Sequence, residues 1–263
     1  MADGFETLAF VVDQGLATIT LNRPDQGNAV ARKFGEEFRA VALTCQTDPD
    51  IRAVLLRAQG KAFCVGGDLK DFVTQTDLAA AVKDMTIDFH AAVSMLARMD
   101  APLVCAVNGI AAGAGLTMVC LADYVVAGTS AAFTYAYAGV GFTADGGLTW
   151  LLPRLVGLRN FQSLVFSGRV VPAAEALTLG IVSEVVEDSD LAARAETFAR
   201  RLSQGPTKAY GGIKRLALAS FSHEYEAHLE AEAQALFLAA KTEDARGAIA
   251  AMARRQKPVF NGR

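Results

Sequence analysis

The stretch from Leu103 to Val126 limits what this chain can fold into more than any other. Its residues LVCAVNGIAAGAGLTMVCLADYVV carry no charge before Asp123, yet Asn108, Gly109, Gly113 and Gly115 interrupt the apolar run. A lipid-facing helix tolerates such breaks poorly, because each frees backbone groups that hydrocarbon cannot satisfy. The segment therefore reads as protein core: a buried strand over Leu103 to Val107, a glycine-rich turn, and a buried helix over Gly115 to Leu121. No transmembrane helix is expected.

The flanking patterns place that core in an α/β fold. Phe5 to Val12 and Leu16 to Leu21 are β-rich runs separated by Asp13-Gln14-Gly15, a hairpin composition. Phe34, Phe38, Val41 and Leu43 recur at helical spacing, and Ile51 to Leu56 reads as the next strand. A long helix is expected from about Leu78 to Met99, with Met85, Phe89, Ala92, Val93 and Leu96 on one face. Pro102 punctuates its end. Beyond Leu191 the composition turns to Ala, Glu, Arg and Leu at helical spacing, so the last third should be helical. The boundary is placed near Gln204-Gly205-Pro206, giving a core of residues 1–204 and a helical region of 205–263.

Composition excludes several classes. With 263 residues, 52% of them hydrophobic and 20% charged, the chain is too apolar to be disordered. A net charge of -3 argues against a broad nucleic-acid surface. The N-terminal MADGFETLAF lacks a basic segment and a long apolar run, so no signal peptide is expected and the cytoplasm is the expected compartment. Cys45, Cys64, Cys105 and Cys120 have no CxxC spacing and no nearby histidine, which suggests neither zinc nor a disulfide framework.

Two glycine segments carry the chemistry. Lys61-Ala62-Phe63-Cys64-Val65-Gly66-Gly67-Asp68-Leu69-Lys70 sets paired glycines after a strand, where backbone N–H groups can closely approach a ligand. Asn108 to Leu116 leads into a helix N-terminus, which offers unpaired N–H groups at a positive dipole end. Two such donors converging on one oxygen would make an oxyanion hole. Taken singly, each segment could be an ordinary tight turn. Nucleotide phosphate binding lacks its signature, because GxGxxG and Walker patterns are absent.

In order and spacing, KAFCVGGDLK, AVNGIAAGAGL, FTADGGLTWLLPRLVG and ALTLGIVSEVV resemble the crotonase (enoyl-CoA hydratase/isomerase) family along nearly the whole chain. The resemblance implies a ClpP-like spiral of ββα units with perpendicular sheets and a C-terminal helical oligomerisation region forming trimers or dimers of trimers. It implies an acyl-CoA thioester substrate and no cofactor beyond its coenzyme A moiety. By the same resemblance the oxyanion donors are the N–H groups of Gly67 and Ala114. Lys61, Ala62, Val65, Asp68, Leu69 and Lys70 match coenzyme A-binding positions, with the lysines near phosphates and Val65 near adenine. Arg23 is a further phosphate candidate, and Arg254, Arg255 and Lys257 could reach a neighbouring subunit's coenzyme A.

The family's hydratases carry two glutamates where this chain has Thr117 and Tyr137, neither of which can act as a carboxylate base. Asp145, in Phe142-Thr143-Ala144-Asp145-Gly146-Gly147, matches the catalytic carboxylate of several isomerases, with Ala144 replacing the proline of PDGG. One carboxylate beside an oxyanion hole suffices to move a double bond, and aromatic neighbours Phe142, Trp150 and Tyr137 would make it a stronger base. Its bland role would be to cap a helix from Gly146 to Leu155. His90 and Asp145 together also match the histidine and nucleophilic aspartate of the 4-chlorobenzoyl-CoA dehalogenases, although the indole of that branch is here Tyr137. A hydratase with an unusual base and an acyl-CoA-binding protein without chemistry complete the alternatives. The acyl group depends on how Phe72, Met85, Phe89, Tyr137, Phe142 and Trp150 are oriented.

Overall fold

A computed structural model describes residues 4–263. The chain opens with strands β1 (Leu8–Asp13) and β2 (Leu16–Leu21), paired antiparallel with Leu8 opposite Leu21. The two residues between them, Gln14 and Gly15, have positive φ (47° and 80°), as a type I′ turn requires. Helix α1 (Arg32–Thr47) returns the chain to β3 (Ala53–Ala58), which pairs parallel to β2. Helices α2 (Leu69–Thr74) and α3 (Leu78–Arg98) precede β4 (Leu103–Val107), whose five residues are all buried between its parallel neighbours β3 and β6 (Tyr124–Gly128).

Between β4 and β6 come β5 (Ile110–Ala112) and α4 (Ala114–Leu121), every residue of which is buried. A helix apolar all round must sit inside the molecule, so α4 is pinned by packing on every side. The chain continues through β7 (Ala132–Thr134), α5 (Leu148–Val156), α6 (Leu158–Ser167), β8 (Val171–Pro172), α7 (Ala173–Leu179) and β9 (Glu184–Val186). One sheet runs β1-β2-β3-β4-β6-β9 and a second, smaller one β5-β7-β8. Only helices follow: α8 (Leu191–Ser203), α9 (Thr207–Ala219), α10 (Tyr225–Ala240) and α11 (Glu243–Ala253). Helix α8 covers the larger sheet through Leu191, Ala195, Phe198 and Ala199, which cluster with Leu55, Val104 and Val126.

Helices α1 and α3 pack face to face. Phe38 stacks on Phe89 at 6.2 Å between ring centroids, and Arg39 pairs with Asp88 at 2.6 Å. The expected face of α3, Met85, Phe89, Ala92, Val93 and Leu96, is the buried one. On α1 the expectation fails at Leu43, which is 47% exposed. The buried side chains of the apolar stripe are Phe34, Phe38, Val41, Ala42 and Cys45, and position 43 falls outside that stripe at 100° per residue. No described helix is long and apolar enough to cross a membrane.

Candidate active site

The two glycine segments are stitched together before any ligand arrives. Cys64 N–H donates to Ile110 O at 3.0 Å and Ala112 N–H donates to Cys64 O at 2.8 Å, in a short parallel ladder. A Cβ on Gly115 would clash with the Cys64 carbonyl, so glycine there is a condition of the approach. Gly113 stands at φ 52° and ψ -119°, which turns the chain into α4. Gly67 and Ala114 line one cavity of about 550 Å³, and the N–H group of neither donates to a partner among the described residues. Ala114 is the first residue of α4, where N–H groups have no intrahelical acceptor.

The same cavity is lined by Phe72, Met85, His90, Tyr137, Phe142 and Asp145. Asp145 does not cap a helix. Helix α5 begins at Leu148 behind Gly147, with no side-chain capping bond, because two left-handed glycines (Gly146 φ 59°, Gly147 φ 84°) separate the carboxylate from the helix. The Asp145 carboxylate instead accepts the Tyr137 hydroxyl at 2.5 Å. Burial, reinforced by the adjacent Asp145 charge, holds Tyr137 far above the ordinary phenol range. His90 accepts the Gly146 N–H on Nε2 at 2.9 Å, which requires an unprotonated Nε2.

Thr117 is fully buried beneath the cavity rather than lining it. Its hydroxyl lies 3.4 Å from the Asp145 carbonyl, and its methyl group packs where a Cβ on Gly146 would stand. Trp150 faces a neighbouring groove, with Phe221 edge-on and Arg154 over its ring. It is therefore not one of the aromatic residues around Asp145. Phe89 is buried between α1 and α3 and does not line the cavity.

Val65 and Leu69 line the cavity and are 42% and 52% exposed. Lys61 and Lys70 are exposed and form no ion pair among the described residues. Arg23 and Asp68 are committed to each other at 2.9 Å. Arg23 also donates to Ala29 O and Gln26, and Asp68 accepts from the N–H groups of Lys70 and Asp71 at the start of α2, so both brace the loop. Ala62 offers its carbonyl to Asn28 at 2.9 Å. Cys64 lies wholly buried in the first glycine segment, and burial pushes its thiol up to about 12, which removes it as a nucleophile.

Arg254, Arg255 and Lys257 follow α11 and are exposed. The end of the tail is fastened to its own subunit, where Asn261 and Gly262 donate N–H groups to the buried Asp244 carboxylate at 2.6 and 2.8 Å. No cluster of three or more metal-ligating side chains occurs among the described residues.

Sequence reasoning missed the Tyr137–Asp145 and His90–Gly146 bonds. The one available signal was the density of glycines from Gly139 to Gly147, which marks a tightly wound loop able to fold one part of itself onto another.

Residues 12–263 match the family model described as enoyl-CoA hydratase/isomerase. The chain is 34% identical to the 1,2-epoxyphenylacetyl-CoA isomerase of Escherichia coli K12, over 96% of its own length and 97% of the relative's. It is 30% identical to a 4-chlorobenzoyl coenzyme A dehalogenase of Arthrobacter, over 84% and 80%. A solved Mycobacterium abscessus structure described as an enoyl-CoA hydratase/isomerase superposes with a TM-score of 0.92 at 36% identity, covering 97% of this chain and 100% of that one. The chain thus belongs to the enoyl-CoA hydratase/isomerase family and has the crotonase fold.

Proposed function

We propose that this protein is an enoyl-CoA isomerase in which Asp145 is the single base. The observation that carries the reading is that one cavity is lined by Asp145 and by Gly67 and Ala114, whose N–H groups have no partner among the described residues. The thioester oxygen accepts from both N–H groups, and Asp145 takes the proton alpha to the carbonyl. The electron pair moves onto the thioester oxygen, and the enolate that forms is the species the two donors stabilise most. Asp145 then returns the proton to the gamma carbon, which re-forms the carbonyl and shifts the double bond. Loss of either donor is expected to cost about 3 kcal/mol of transition-state stabilisation. Lys61 and Lys70 supply charge for the coenzyme A phosphates, and Val65 and Leu69 an apolar surface for its adenine.

The substitution of Thr117 and Tyr137 for two carboxylates supports isomerisation over hydration. Hydration needs a group to activate water in addition to the one that handles the alpha proton. Aryl-CoA dehalogenation is the second reading, favoured by His90 and Asp145 lining the same cavity. In it Asp145 would attack a chlorinated ring carbon, chloride would leave, and water would cleave the resulting ester. The exposed apolar residues Leu229, Leu236 and Ile249 of α10 and α11 support a homotrimer or a dimer of trimers.

The test is turnover of 3-enoyl-CoA, 2-enoyl-CoA and 4-chlorobenzoyl-CoA by the wild type and by Asp145→Ala, with coenzyme A binding measured in both. Isomerisation that disappears in Asp145→Ala while binding persists is the expected result. Chloride release from the third substrate would transfer the assignment to the second reading. Binding with no turnover of any of the three would leave a non-catalytic acyl-CoA protein.

A further inference from the structure

The Tyr137 hydroxyl has no part in the isomerisation as written, yet the loop is built to deliver it to the reacting carboxylate. Just before Tyr137, Ala136 stands at φ 58° and ψ -32°, and Tyr137 N–H donates to Tyr135 O at 2.8 Å. That i to i+2 bond closes a γ-turn of the strained hand, a conformation costly for a residue with a Cβ. The strain throws the Tyr137 ring against Gly113, where a Cβ would lie 3.7 Å from Cε2 and Cζ. Phe142 N–H donates to Tyr137 O at 3.0 Å and closes the loop that brings Asp145 back to the ring. The hydroxyl therefore reaches the carboxylate immediately beside the residue that precedes Ala114.

We infer that Tyr137 is a positioning residue for Asp145: its O–H holds one carboxylate oxygen beside the oxyanion hole and leaves the other to face the substrate. The inference rests on Asp145 being the base. The phenol, far above its ordinary range, stays protonated near neutral pH, so it donates and does not act as a base. The donated bond favours the charged carboxylate and fixes its rotamer, the form and orientation a base needs. Of the other titratable groups, only His90, from α3, also lines the cavity, and its Nε2 is occupied by Gly146 N–H. On the other side the cavity is lined by Val30, Gly67, Phe72 and Ala114, none of which titrates. Tyr137 is thus the one titratable side chain bonded to Asp145 among the described residues.

The experiment compares wild type, Tyr137→Phe and a protein carrying 3-fluorotyrosine at position 137, in kinetics and by carbon NMR of labelled aspartate in the ligand-free protein. Tyr137→Phe is expected to lower kcat roughly a hundredfold with little change in KM, as misplacement of a reacting group does. The acidic limb of kcat/KM and the NMR titration midpoint of Asp145 should both move to higher pH. Fluorotyrosine, which keeps the donor, should restore kcat and move both back. An unmoved NMR midpoint in a folded Tyr137→Phe protein overturns the inference, since a ring that only packs would leave it in place. A loss of kcat equal to that of Asp145→Ala, with the midpoint unmoved, would make Tyr137 a proton carrier instead. The NMR arm reads the contact in a protein that need not turn over, so failure of the isomerase reading would show separately, as an Asp145→Ala variant that retains activity.

Discussion

At the scale of single residues, the site depends on what each side chain is prevented from doing. His90 lines the cavity but spends Nε2 on Gly146 N–H, so its acceptor lone pair holds a loop. His90→Ala should therefore lower turnover by loosening the Asp145 loop, whereas His90→Gln, whose amide oxygen can accept the same N–H, should recover much of it. Steady-state kinetics on the two variants checks this; equal loss in both would point to proton transfer by the imidazole. Cys64 sits within bonding distance of the second glycine segment yet is silent, because a thiol without solvent does not ionise. Cys45 and Cys120 are likewise pushed up to about 12 by burial. The native enzyme should keep full activity in an excess of a thiol reagent, with all four cysteines reacting only after denaturation.

At the scale of elements, the clearest dependence is the strap between α1 and the chain entering β1. Glu37 is only 4% exposed, and its carboxylate accepts the N–H groups of Glu6 and Thr7 and the Thr7 hydroxyl, at 2.9, 2.9 and 2.6 Å. Burial alone would push this carboxyl up, but those three bonds and nearby Lys33 outweigh it and hold it below the usual range. A depressed folded-state value means that its contribution is present above the unfolded value and lost as pH falls through the folded one. Glu37→Ala leaves buried donors unpaired and should cost about 1–3 kcal/mol of stability at neutral pH. The deficit should shrink as pH falls below the usual carboxylate range and the wild-type carboxyl is protonated, which denaturant unfolding at several pH values would show.

At the scale of the whole molecule, the four buried thiols make a prediction about alkaline stability. Each remains protonated when folded at pH values where the unfolded chain ionises it, so each contribution is present below the unfolded value near 9 and lost above it. Stability should fall with pH above about 9, by up to roughly 1.4 kcal/mol per pH unit per thiol. A Cys105→Ala, Cys120→Ala variant should show a shallower fall. The order of the elements was legible in the sequence, because β4, α3 and the hairpin are encoded by local periodicity and by turn residues such as Gln14-Gly15. Leu43 was misread because four residues at mixed spacing do not define which stripe of a helix finds a partner. In the site, Gly67, Ala114, Asp145 and Val65 are singled out by the family resemblance, and they line one cavity; spacing alone marks only two glycine turns, one of them leading into a helix. The sequence by itself determined the fold class, the family and the residues able to carry charge or approach a ligand. Only the tertiary structure decided that the Asp145 carboxylate bonds to Tyr137 and not to a helix end, that Arg23 pairs with Asp68, and that Thr117 is buried outside the cavity lining. The Tyr137–Asp145 bond depends on where two left-handed glycines and a strained γ-turn direct side chains, and the Arg23–Asp68 pair on contacts 45 residues apart in sequence, neither of which local propensity specifies.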